Sequence, residues 1–200
     1  ILVGGDPFDI KDIKCLTTQD GNLVFAKQKA NFPFLFKSKN RKWTKNTEVS
    51  FELLKDYDPL KQTLDIFFSF KPQGFHYTKN YGVALHFFLR GGWFGIIREG
   101  EGFEAFSGSK LTKRWSPDNV ANTLWKTERV KISAVFKDNK FEIFINGESF
   151  LSYPISEICS EKEFPNTPIT LHFSKRGGQM QEIPVKIDNL YIGPPRAIKK

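Results

Sequence analysis

Within VALHFFLR (83–90), three residues able to donate hydrogen bonds or stack recur at period two: His86, Phe88 and Arg90. Successive side chains of a strand point to opposite faces, so Val83, Leu85, Phe87 and Leu89 share one face and Ala84, His86, Phe88 and Arg90 the other. The first set is apolar throughout and predicts a core face. The second gathers imidazole, ring and guanidinium on the outward face, and Trp93 follows just past Gly91 and Gly92. That set has the chemistry of a sugar site. A flat aromatic ring packs on the C–H face of a pyranose, and a planar guanidinium donates in pairs to its hydroxyls. Trp93 or Trp115 supplies the ring and Arg90 the fork. The same residues also fit a face covered by a loop or by a neighbouring chain.

Other chemistries are less well furnished. REGEGFE places Glu99, Glu101 and Glu104 close together. Glycosidases of sandwich type use two carboxylates from one strand, roughly 5 Å apart in retaining enzymes. Here glycines interrupt the run and no Asp stands at its centre, so it reads as a solvated hairpin. There is no Gly-x-Ser-x-Gly elbow, and His76, His86 and His172 sit in no nucleophile motif. TLHFSKR resembles ALHFFLR, so His86 and His172 would line one face if the two strands share a sheet. Asp138, Asn139, Asp188 and Asn189 are the calcium-type candidates, with oxygen ligands on two Asp-Asn pairs. The first pair reads as a hairpin turn. The second lies in a strand pattern, which predicts opposite faces for Asp188 and Asn189. No metal and no cofactor is expected, and no enzymatic activity.

The basic run KSKNRKWTK carries Lys37, Lys39, Arg41, Lys42 and Lys45 around Trp43 with no acid between. Residues 36–46 read as a charged loop. If functional, such a loop suits an acidic glycan or a phospholipid head group, with Lys113 and Arg114 adding to the same field. A nucleic-acid reader would show a known module or several interleaved stacking aromatics, and neither is present. The net charge of +8 permits an anionic partner without requiring one.

These residues need strands to position them, and the composition provides them. The chain has 200 residues, of which 21 are Phe, with one Met. Aromatic residues favour pleated surfaces. Short period-two runs recur between Gly, Pro, Asn and Asp: 21–28, 49–54, 63–70, 83–90, 93–100, 102–107, 168–174 and 185–193. Residues 129–154 predict three strands, turning at Asp138-Asn139 and at Asn146-Gly147, the strongest hairpin signal in the chain. Short helical turns are expected at 116–124 and 155–160 only. Nine or ten strands with one apolar face each predict an all-β, two-sheet antiparallel β-sandwich, read as one domain over residues 1–200 with residues from about 194 peripheral.

Cys15 and Cys159 are the only cysteines. They form one bridge or remain two free thiols, and spacing does not choose. No apolar run reaches the roughly 20 residues a membrane-spanning helix needs. The chain opens on Ile1, which suggests a processed or excised product, and there is no Asn-x-Ser/Thr acceptor.

FEIFINGESFLSY (141–153) resembles the galectin phrase F-E-V-F-V-N-G-x-x-F-x-x-F, and ALHFFLR resembles the galectin sugar-site strand A-L-H-F-N-P-R. The two matches fall in the family's order and, with their flanks, cover about a third of the chain. The closing VKIDNLYIG is more typical of the wider concanavalin A-like group, which includes laminin-G-like modules. The resemblance implies a jelly roll with a lectin-type role. It carries over His86 and Arg90. The family's Asn falls on Phe88 and its Pro on Leu89, and an Asn offers a donor and an acceptor where Phe offers neither. WKTER echoes the family's Trp, Glu and Arg with Trp125, Glu128 and Arg129. The expected function is therefore non-catalytic binding of a glycan or glycoprotein, in an extracellular or secretory setting, with the cytosol as the alternative. The competing expectation is a protein-interaction or adhesion module that uses the same exposed aromatics.

Overall fold

The computed structural model describes residues 2–3, 6–7, 16–19, 22–25, 34–54, 63–70, 82–88, 91–97, 113–115, 129–157, 168–176 and 185–196. In chain order the strands are β1 (Leu2–Val3), β2 (Asp6–Pro7), β3 (Leu16–Gln19), β4 (Asn22–Phe25), β5 (Phe34–Lys42), β6 (Thr47–Leu54), β7 (Thr63–Ser69) and β8 (Gly82–Phe88). Then follow β9 (Gly91–Ile97), β10 (Lys113–Trp115), β11 (Arg129–Lys137), β12 (Lys140–Ile145), β13 (Glu148–Pro154), β14 (Pro168–Arg176) and β15 (Val185–Gly193). Among the described residues a 3-10 turn spans Ile155–Glu157. Among the described residues no helix is long and apolar enough to cross a membrane.

Two antiparallel sheets carry the structure. One has six strands in the order β10-β9-β8-β7-β14-β5, and the other seven in the order β13-β12-β11-β6-β15-β4-β3. β1 and β2 form a separate two-stranded ladder. Alternation decides what each strand buries. In β6, Val49 and Phe51 are buried at 0% and 1% exposure. In β11, Val130, Ile132, Ala134 and Phe136 face inward, and in β12 Phe141, Ile143 and Ile145 do so.

The contact between the sheets is aromatic. Phe70, which follows β7, meets Trp43 at 5.3 Å, Phe136 at 5.0 Å and Phe141 at 5.3 Å, all edge to face. Phe68 of β7 stacks with Phe51 at 6.5 Å and meets Phe141 edge-on at 6.3 Å. Such ring pairs add about 0.5–1.5 kcal/mol each beyond the area they bury. Phe51, Phe68, Phe70, Phe136 and Phe141 thus serve where the sheets meet.

Two turns have the backbone their sequences predict. Asp138 and Asn139 have φ of 51° and 60°, and Asn146 and Gly147 have 52° and 86°. Positive φ at both central residues is the type I′ hairpin turn, whose twist matches that of the flanking strands. The Asn146 side chain fastens the second turn by accepting from the Lys131 amide at 2.9 Å.

The charged segment 36–46 departs from expectation. Its first part is strand, since β5 runs to Lys42 at the edge of the six-stranded sheet. Only the short turn through Lys45 and Asn46 leads from there to β6 in the other sheet, and Thr47 closes it by accepting from the Thr44 amide at 3.0 Å. A run of cations on an edge strand deters pairing with a second chain, which explains a strand written in lysines.

Candidate functional site

Register, more than sequence proximity, assembles the candidate site. β7 pairs with β8 so that Asp65 is opposite His86, Ile66 opposite Leu85 and Phe68 opposite Val83. Ile66 and Phe68 are fully buried, Leu85 and Val83 hold the register positions opposite them, and His86 stands opposite Asp65 at the alternate parity. β8 pairs with β9 so that His86 is opposite Trp93, and β9 with β10 so that Trp93 is opposite Arg114. Ser174 of β14 is opposite Asp65. One register row across the sheet therefore runs Ser174, Asp65, His86, Trp93, Arg114. Its members come from five strands, spread from position 65 to position 174.

Trp115 is opposite Gly92, Gly92 opposite Phe87, and Phe87 opposite Leu64, in the neighbouring register row. Trp93 shares the row with His86, and Trp115 does not. His172 is opposite Phe67, two positions along β14 from Ser174, so the two similar strands do share a sheet. Phe88 is opposite Gly91 at the other side of the row. Phe67 has fully buried neighbours on the core face, yet is itself only 3% exposed, so the outer face is closed over one row from His86.

Several candidates fall elsewhere. Arg90, Trp125 and Glu128 lie outside the described residues, as do Cys15, Cys159 and the Glu99–Glu104 segment. Arg129 begins β11 in the seven-stranded sheet, so it is not brought to His86. Trp43 is fully buried, in contact with Phe70 and Phe136, and offers no stacking surface among the cations. Lys37 and Lys39 lie on β5, and Lys42 and Lys45 are exposed at its end near the half-buried Arg41.

The outer face of the seven-stranded sheet holds two polar clusters that local sequence does not announce. In the first, Arg129 donates to Glu52 at 3.2 Å and to Asp188, and Asn189 donates to Glu52 at 3.0 Å. The hydrogen bond it donates to Asp188, then that to Glu52, pushes the Arg129 guanidinium above its ordinary value. Asp188 and Asn189 act together here, against the strand expectation. A bulge between Asp188 and Tyr191 shifts the register, and Asn189 sits at a φ of 51°, which turns it to the side of Asp188.

In the second cluster Arg196 folds back over β6. Its guanidinium donates to Glu48 at 2.7 and 3.3 Å and to Ser50 at 2.6 Å, and its backbone amide donates to Glu48 at 2.7 Å. The guanidinium carbon sits 3.6 Å from the centre of the Tyr191 ring, a cation–π contact. Burial raises the Glu48 carboxyl, but the bonds and charge of Arg196, with the Ser50 hydroxyl, outweigh it and hold the group below its usual value. Gly193 is needed beside this clasp, because a Cβ there would stand 2.5 Å from the Tyr191 hydroxyl.

With both sheets placed, solved structures can be compared. A Bacillus licheniformis β-glucanase superposes with a TM-score of 0.56 at 10% identity, over 91% of this chain and 83% of that one. A legume lectin-like domain from Entamoeba histolytica gives 0.55 at 8% identity, over 90% and 87%. The fold is the concanavalin A-like jelly roll. Sheep galectin-11 also superposes, at 0.49 and 9% identity over 82% of this chain and all of that one. No family model and no curated protein matches the sequence. The jelly roll hosts both sugar binding and sugar hydrolysis, as these neighbours' names say, so it leaves the choice to the site.

Proposed function

We propose that this jelly roll is a non-catalytic carbohydrate-binding module that takes a glycan on the outer face of its six-stranded sheet. The row Asp65, His86, Trp93, Arg114 carries the reading. Its chemistry is that of a saccharide subsite. An indole packs on the C–H face of a sugar ring, a carboxylate accepts from its hydroxyls, and an imidazole and a guanidinium donate to them. Arg114 and the surplus of cations favour a glycan with acidic groups. Phe88 flanks the row where galectins carry Asn, so the specificity differs from a galactoside site of that family.

Binding to an array of neutral and acidic glycans tests the proposal, followed by calorimetry on any ligand found. His86→Ala and Trp93→Ala should each weaken binding by about tenfold or more, as loss of one stacking ring or one buried hydrogen bond does. Unchanged affinity in both variants, or cleavage of the bound glycan by the parent chain, would overturn it. A second reading, a protein interface on the same face, draws on Phe88. It gains if the array gives no ligand while Phe88→Ala releases a partner captured by the parent chain.

A further inference from the structure

The outer face of the seven-stranded sheet carries a groove of about 740 Å³, on the side of the sandwich away from His86. Ligand pockets commonly fall between about 300 and 1,000 Å³. Ser133 of β11 lines it and is only 8% exposed. Its hydroxyl has no hydrogen-bond partner among the described residues, and buried hydroxyls rarely stay unsatisfied. Half-buried Phe144 of β12 is its cross-strand neighbour and gives the groove an apolar plate. Asn146 stands at the rim with its oxygen already accepting from the Lys131 amide, so its NH2 group is left to donate.

The charges of the groove are unequal in what they leave over. Arg129 is taken by Glu52 and Asp188, and Arg196 by Glu48 and Ser50. Lys131, exposed between them, forms no ion pair among the described residues. One ammonium, one buried hydroxyl, one amide donor and one ring thus converge on a groove whose other lining charges, Arg129 and Arg196 against Glu48 and Glu52, balance, with Asp188 behind Arg129.

We infer that this groove is a second saccharide site, independent of the His86 face, and that it takes a sugar ring bearing a single carboxylate, a uronic acid. The ring lies against Phe144, the carboxylate accepts from Lys131, and a ring hydroxyl meets Ser133. A ligand with several negative charges is disfavoured, because Glu48 and Glu52 border the same groove.

The test is an NMR titration of the whole chain with glucuronic acid and, separately, with glucose. Glucuronic acid should move the amides of 131–135 and 144–147, and glucose should bind at least about fivefold more weakly. Lys131→Ala should weaken glucuronic acid by about tenfold and remove its preference over glucose, and Ser133→Ala should weaken both sugars. Lys131 is exposed, so its variant folds, and His86→Ala should leave the shifts at 131–135 and 144–147 unchanged whatever it does at 82–97. Three results would overturn the inference: no shifts in these segments at saturating uronic acid, shifts confined to 82–97, or equal affinity in the parent chain and Lys131→Ala.

Discussion

Replacing Arg196 by Ala removes a long-range clasp whose strength the geometry bounds. The substitution deletes two hydrogen bonds to Glu48 and one to Ser50, plus the contact on the Tyr191 ring, while the backbone amide bond to Glu48 can persist. Breaking a fully buried ion pair costs about 3–5 kcal/mol, and a surface pair contributes at most about 1. This pair is lopsided, with Glu48 at 6% side-chain exposure and Arg196 at 47%, so about 2 kcal/mol is expected. For a chain of this size that lowers Tm by about 4–8 °C. The pH dependence has a fixed sign. Glu48 is held below its unfolded value, so the stability it contributes is present in full above about pH 4.3 and fades as pH falls through the lower folded value. In the variant burial, the backbone bond and the Ser50 hydroxyl still act on Glu48 but the guanidinium does not, so less stability depends on the charged carboxyl. The gap therefore shrinks on acidification. Thermal melts of the two proteins across an acid-to-neutral series measure it. Equal Tm at neutral pH, or a gap that widens as pH falls, would refute the assignment of Arg196 as the partner that keeps Glu48 charged.

Gly147→Ala should cost about 1 kcal/mol by urea denaturation, because φ of 86° disfavours a Cβ even though nothing lies within 4 Å of it. A variant as stable as the parent would mean that the turn relaxes without loss. Phe141→Ala should cost about 3–5 kcal/mol, since the ring is fully buried against Phe136 at 4.6 Å and Phe70 at 5.3 Å. A loss under about 1 kcal/mol would place the cohesion of the two sheets elsewhere.

Much of the fold was legible because its signals are local. Residues 185–193 form one strand with the bounds the pattern predicts, and both Asn-containing turns fall where positive φ is least costly. β5 was missed for a physical reason. Its lysines and Asn40 carry no alternation of apolar and polar residues, because an edge position asks for charge more than for period two. Asp188 and Asn189 were separated because a bulge breaks the parity that strand reasoning assumes, and a bulge is a property of the pair of strands.

The candidate site was half legible, and the missing half shows why. His86 was proposed from its own strand, and Asp65 and Arg114 come into its register row through ladders between strands whose order no local pattern states. Asp65 did leave a trace: it stands opposite in parity to Leu64 and Ile66 in an apolar run, and a carboxylate in that setting marks an outward face. The proposed site takes Trp93 rather than Trp115 on one pairing, Trp93 with Arg114, and a shift of one residue in β10 would bring Trp115 opposite Trp93 instead. The sugar reading therefore depends on register more than on residue type. Trp115→Ala tests that dependence, because it should reduce stability while leaving glycan affinity within about twofold, whereas Trp93→Ala should do the reverse.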